Sequence, residues 1–326
     1  MAREWENEFW ELFVSTQKGD LRKALDLKRK HIPEKLYRYR SLDNLDYVTG
    51  EIAIGEIYVA SPPELNDIFD AVSLMSSKDS KFYFSKGDMK ELYEDSFKEL
   101  PADIFEKIFN NNDWYDKLAE YVAENVICGT TLTIEEAKSK LNQIEMHVLE
   151  KTNASLNSVS NATIRIACFT DKETNIPMWT HYAKEHTGIC IVYDTKTIKK
   201  ELTLNSLYPI RYTEKLLDGM SHIMDRQSNP LSAYSFLEEL GTQKHKDWEY
   251  EQEWRLMLHM GHLYPSAESI PKEYRNKGQL YYFTKPSKVI LGCKISEQNE
   301  IFLRGICKNA GVDIVKMQIT PYGLMY

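Results

Sequence analysis

Long hydrophobic runs are missing from these 326 residues. No apolar stretch approaches the roughly 20 residues that a membrane-spanning helix requires. The opening residues, Met1-Ala2-Arg3-Glu4-Trp5-Glu6-Asn7-Glu8-Phe9-Trp10, hold no apolar segment of the secretory-signal kind. The expectation is a cytoplasmic protein with no membrane partner. An excess of basic charge is also missing: 41 Lys and Arg stand against 49 Asp and Glu, a net charge of -8. That balance argues against broad, backbone-driven nucleic-acid binding and leaves room only for a local basic groove. Cysteine is scarce and unpaired in pattern. Cys128, Cys168, Cys190, Cys293 and Cys307 are odd in number and form no C-x-x-C, which excludes a disulfide framework and a zinc site. No internal repeat and no low-complexity linker break the chain. What is present is an apolar content of 42% with 20 tyrosines, enough for a substantial core.

Residues 2 to 30 read as helical, with Trp5, Phe9, Leu12 and Phe13 at spacings that make one apolar stripe for docking on the main domain. Leu36-Tyr37-Arg38-Tyr39-Arg40 alternates and suits a strand with both arginines on one face. Two inward guanidiniums need anions. Asp67, Asp70, the later glutamates or a pyrophosphate would serve, and a structural ion-pair network is the plainer alternative. Ser41 or Asp43 is expected to cap a short helix ending near Gly50, and Glu56 to Ala60 reads as a second strand. The loop Asn66-Asp67-Ile68-Phe69-Asp70 follows it. Residues 80 to 160 read as a charged helical insertion, with Trp114, Leu118, Tyr121 and Val122 on one face. A Thr133/Glu136 capping box follows, and an exit loop covers Asn153 to Asn161. After the strand Ile164 to Phe169, Pro177 opens a two-turn helix carrying Met178, Trp179, His181 and Tyr182. This helix suits a wall for a planar ring, or simply a piece of core. The chain then offers strands near 189–194, 208–212, 279–283, 289–292 and 312–317, with a helix over Glu297 to Ala310.

Trp248-Glu249-Tyr250-Glu251-Gln252-Glu253-Trp254-Arg255-Leu256-Met257-Leu258 organises the rest. Read as a strand, it puts Glu249, Glu251 and Glu253 on one face and Tyr250, Gln252 and Trp254 on the other. Aligned carboxylates repel, so a fold that keeps them either exposes them on an edge strand or aims them into a cleft that uses negative charge.

These stretches together resemble an uncharacterised bacterial family, the domain of unknown function numbered twenty-nine seventy-one, over roughly residues 34 to 318. The segment Leu36 to Gly50 is also similar to the opening of ADP-ribosyltransferases, above all the DNA-modifying DarT toxins. There a strand bearing His or Arg precedes an Asp-Asn-Leu helix, here Asp43-Asn44-Leu45. The first-strand His of that branch is Arg in this chain, and no Ser-Thr-Ser segment stands on the middle strand. The resemblance implies an α+β fold with an ADP-ribosyltransferase-like split, curved mixed β-sheet core. An N-terminal helical segment (1–32) would pack on a single domain (33–326) with a helical insertion at about 80–160. It implies NAD as substrate, bound by Arg38, Arg40, Trp179, His181 and Tyr182, with Glu251 and Glu253 catalytic. Asn66, Asp67, Asp70 and Arg255 are further candidates, and no metal is implied. The implied role is a toxin or anti-phage effector acting on a nucleic-acid or protein acceptor, with an antitoxin or defence-system partner. Two other readings stay open: a magnesium-dependent nuclease using Asp67, Asp70, Glu251 and Glu253, or a non-catalytic immunity module that binds a basic partner.

Overall fold

The structure is a computed structural model that describes residues 4–15, 17–67, 69–72, 104, 107–108, 113–125, 132–215, 217, 231–321 and 323–326. Ile68, Cys128 and most of the expected insertion up to residue 112 lie outside the described residues. The chain divides into two compact units. One comprises residues 1–72, 158–217 and 229–326, and the other residues 73–157 and 218–228.

The first unit is built on seven strands: β1 (Lys35–Arg40), β3 (Ile164–Thr170), β4 (Ile189–Asp194), β5 (Leu207–Pro209), β8 (Glu253–His259), β10 (Lys288–Leu291) and β11 (Asp313–Lys316). Their order is β11-β10-β4-β1-β3-β8-β5, antiparallel throughout except for the parallel pair β10–β11. The fold is therefore α+β with a mixed sheet. β2 (Glu56–Val59) pairs separately with β9 (Gln279–Tyr282), and β6 (Arg211–Thr213) with β7 (Gln243–His245).

Alternation along the central strands sorts their side chains. Trp254, Leu256 and Leu258 of β8 enter the larger core with Leu36, Phe169, Ile191 and Tyr193, whereas Met257 joins a second core on the other side. Each such aliphatic or aromatic side chain withdrawn from water contributes about 1.5–3 kcal/mol. Helix α1 (Glu4–Val14) supplies Phe9, Trp10 and Phe13 to the second core beside Tyr208. Its Trp5 stacks on His31 of α2 (Asp20–His31) at 4.4 Å and lies 6.0 Å from Trp254 of β8.

Helix α3 (Leu45–Ile54) differs from expectation at both ends. Its cap is Asn44, whose side chain accepts from the Tyr47 amide, because Asn44 is the residue whose oxygen reaches the free N–H groups of the first turn. It passes through Gly50 and stops at Gly55, whose φ of 78° ends the helix and whose missing Cβ would sit 2.6 Å from the Thr284 carbonyl.

In the second unit, α4 (Trp114–Glu124) buries Leu118, Ala119 and Val122. The Thr133/Glu136 capping box forms, each side chain bonding the other's amide. The expected exit loop at Asn153 to Asn161 is instead helical: α5 (Ile134–Thr163) runs through it directly into β3. No Gly or Pro interrupts that stretch, and the Arg165 guanidinium takes up the Asn161 carbonyl at 2.9 Å near the helix end.

Candidate functional site

β1 and β3 are neighbours at a single registered pair, Tyr37 with Thr170. At the other end of the gap, Ala60 exchanges both backbone hydrogen bonds with Ile166, at 2.7 and 2.8 Å. Between these two fastenings the strands part, and a cavity of about 230 Å³ opens, lined by residues 37–40 of β1 and 166–169 of β3.

The β1 wall is cationic. Arg38 and Arg40, two apart on one strand face, both reach Glu51 of α3, at 3.4 and 3.7 Å. Glu51 is 1% exposed and also accepts from the Tyr193 hydroxyl at 2.5 Å. Arg38 donates further to the Tyr58 carbonyl at 2.9 Å. The expected anions were Asp67, Asp70, the later glutamates or a pyrophosphate, with a structural ion-pair network as the alternative; the carboxylate that pairs with both arginines is Glu51. Two guanidiniums share one carboxylate, and Arg40 Nε is buried without a hydrogen-bond partner. Burial and the neighbouring Arg38 charge lower the proton affinity of Arg40.

The opposite wall is acidic. Residues Lys246–Glu251 form a 3-10 helix, and β8 begins only at Glu253, so the expected strand over the whole Glu-rich stretch is not formed. Gln252 sits between them in the left-handed region at φ 47°. That turn breaks the two-residue alternation yet brings both neighbouring carboxylates to one cation. Lys244 of β7 donates to Glu251 Oε2 at 2.7 Å and to Glu253 Oε2 at 3.1 Å. Thr170 Oγ1 secures the turn by donating to the Glu251 carbonyl at 2.6 Å, and the Glu253 amide donates to the Tyr212 hydroxyl at 2.8 Å. Arg255, two residues along β8 and fully buried, donates to Glu253 Oε1 at 2.8 Å, to Asp70 Oδ2 at 2.9 Å and to the Gly241 carbonyl at 2.9 Å. Three carboxylates thus share two cations. Asp70 Oδ1 and Asp67 Oδ2 are buried without partners.

The two glutamates differ in environment and hence in proton affinity. Burial and the adjacent Glu253 charge push the Glu251 carboxyl up to about 7, against the pull of Lys244 and the Tyr182 hydroxyl, which donates to Glu251 Oε1 at 2.7 Å. Glu253 moves the other way. Although burial opposes it, the Arg255 and Lys244 charges hold it far below the usual carboxylate range. Glu253 is held as an anion, whereas the Glu251 carboxyl is raised toward neutrality, the range a general acid or base needs. Burial and Glu251 raise the Tyr182 hydroxyl, which therefore stays a donor. Burial and Glu253 likewise raise the Cys168 thiol, leaving it unsuited as a nucleophile.

Of the residues singled out in the sequence, Arg38, Arg40, Asn66, Asp67, Asp70, Tyr182, Glu251 and Glu253 line the cavity, and Arg255 braces it from beneath. Trp179 and His181 of α6 (Ile176–His181) do not line it. Trp179 is fully buried, edge-on to Tyr39 at 5.1 Å and parallel to His186 at 6.1 Å, while His181 is exposed. The reason is helical spacing. Met178 and Tyr182, four apart, face the cavity, and Trp179 turns into the core between them.

Sequence reasoning passed over Lys244 and Glu51. Lys244 sits in a three-residue strand with no periodicity to mark it. Glu51 had a signal: it lies three residues after Val48 and beside Ile52 on the buried side of α3, where a carboxylate needs a partner.

Among the described residues, no group of three or more His, Cys, Asp or Glu is arranged to hold a metal ion. Of the carboxylates that a magnesium site would use, Glu251, Glu253 and Asp70 are paired with Lys244 and Arg255, and Asp67 is not. No helix among the described residues is long and apolar enough to cross a membrane.

Residues 178–256 match the family model described as "Protein of unknown function (DUF2971)". That span carries Tyr182, Lys244, Glu251, Glu253 and Arg255, and ends before the strand pair β10–β11. No curated protein and no solved structure matches the chain.

Proposed function

We propose that this cavity binds NAD and breaks its nicotinamide–ribose bond, and that the chain acts as an ADP-ribosyltransferase or an NAD glycohydrolase. The single observation carrying the reading is that Arg38 and Arg40 line the same cavity as Glu251 and Glu253. The divergence of β1 from β3 supports it as well, since a split sheet is what the resemblance to ADP-ribosyltransferases implies.

Loss of nicotinamide leaves oxocarbenium-like positive charge on the ribose, and a preplaced carboxylate in a site with little water stabilises that charge. Glu251 in its ionised form takes this role, with the Tyr182 hydroxyl and Lys244 Nζ fixing its two oxygens. Arg38 and Arg40 take the pyrophosphate through their fork of donors. Glu253, a fixed anion bound to Arg255 and Lys244, acts as a positioning residue that holds Lys244 against Glu251. The cavity is smaller than the few hundred Å³ of a typical small-molecule site. It accommodates the nicotinamide riboside half and leaves the adenylate half at the mouth. A toxin or anti-phage role in the cytoplasm, with a nucleic-acid or protein acceptor, belongs to the same proposal and rests on the resemblance alone.

The experiment is a chromatographic measurement of nicotinamide released from NAD by the full chain, with and without added nucleic acid or protein. The proposal expects release, and a loss of about a hundredfold or more in Glu251→Gln. Unchanged release by a folded Glu251→Gln variant contradicts it.

A further inference from the structure

Tyr47 of α3 stacks on Tyr58 of β2, with ring centroids 5.2 Å apart and planes inclined by 19°. Tyr58 lines the cavity, and its hydroxyl is fixed by donation to Glu64 at 2.7 Å. Tyr47 is held by its amide bond to Asn44, yet its side chain leaves the residue 36% exposed. One ring face is covered by Tyr58. Leu280, directly across from Tyr58 in the β2–β9 pair, is also exposed. Nothing in the α3–β2 packing requires an aromatic side chain to stand out from the surface at position 47.

Arg40 lines the same cavity as Tyr58, the partner ring of this stack. Its Nε makes no hydrogen bond; its ion-pair partner Glu51 lies at 3.7 Å and is shared with Arg38 and Tyr193. Asp43, which would otherwise repel an anion here, is tied to Lys184. A guanidinium with unused donors binds a phosphate, and a rigid aromatic face binds a planar base, with stacking worth about 1–3 kcal/mol. The two features together select a ligand that carries both groups.

We infer that Tyr47 and Arg40 form a subsite for a nucleoside monophosphate group, the base stacked on Tyr47 and the phosphate held by Arg40. The inference rests on the NAD reading only in identifying that group as the adenylate half, which sets the direction of the dinucleotide: adenylate outside, nicotinamide ribose inside toward Glu251.

The test is calorimetric titration of the full chain with AMP and with ribose 5-phosphate, which lacks the base. AMP is expected to bind at least about tenfold more tightly than ribose 5-phosphate. Tyr47→Ala should abolish that preference while leaving ribose 5-phosphate binding as it was, and Tyr47→Phe should retain it. Equal affinity for the two ligands in the parent, or an AMP affinity untouched by Tyr47→Ala, overturns the inference. Tyr47-dependent AMP binding without NAD turnover would leave the subsite standing and remove the NAD reading. Turnover with Tyr47-independent AMP binding would do the reverse.

Discussion

Glu251 and Glu253 are two residues apart in the chain, yet their surroundings shift their carboxyls in opposite directions, Glu251 up and Glu253 down. The difference lies in Arg255, which bonds Glu253 and does not reach Glu251. If ionised Glu251 supports the chemistry, turnover rises as pH rises through about 7, and a pH–rate profile checks this. Lys244 is the cation that favours its ionised form. Lys244→Met should therefore move the midpoint of that profile upward, provided the folded variant is compared at matched temperature. The two glutamates also make opposite contributions to stability. Between the ordinary carboxylate value and about 7, folded Glu251 holds a proton that the unfolded chain has released. By itself it lowers stability as pH rises across that window. The parent should lose stability relative to Glu251→Gln between about pH 5 and pH 8 in denaturant titrations. Glu253, held low, contributes stability that is present above the ordinary carboxylate value and lost only in acid.

At the scale of elements, the site depends on two short connections. The turn at Gln252 presents both glutamates to Lys244 through a left-handed backbone, which costs a non-glycine residue about 1–2 kcal/mol. Gln252→Gly should be neutral or mildly stabilising with turnover retained, whereas β-branched Gln252→Val should lower both; thermal melts with activity assays separate the two. The second connection joins α6 to β4 through Lys184, Glu185 and His186, all at positive φ, and closes at Gly188. A Cβ there would lie 2.2 Å from the Arg40 carbonyl. Gly188→Ala must displace the strand that carries Arg40, and is expected to cost about 1–3 kcal/mol in stability, measured by denaturant unfolding.

These connections also mark where the sequence was legible. Leu36 to Arg40 announced its strand by alternating aromatic and basic residues, although both sets are buried at 37–39, and Glu297 to Ala310 forms its helix between the Ser296 cap and Gly311. The Glu-rich stretch misled because alternating charge reads as strand, and nothing local shows that Gln252 will be forced left-handed by Thr170 and Tyr212 on other elements. Asn153 to Asn161 misled because Ser and Asn are common in loops, while the long helix continues through them into β3.

On the scale of the molecule, the net charge of -8 says little about the site, where a cationic wall faces an acidic one across about 230 Å³. Bringing them together takes residues from both ends of the chain: β1 carries the arginines, and β7, the 3-10 turn and β8 carry Lys244 and the glutamates. Spacing within one segment cannot reveal such a meeting, so a cavity shared by Arg38 and Glu251 was expected from the resemblance and not from any local pattern. The central claim is that both walls hold one dinucleotide. Diffraction from crystals of the Glu251→Gln variant soaked with NAD tests it most directly. The account predicts pyrophosphate oxygens within about 3 Å of Arg38 or Arg40, with the nicotinamide ribose turned toward position 251. NAD bound elsewhere, or no NAD in a folded variant at saturating concentration, would contradict it.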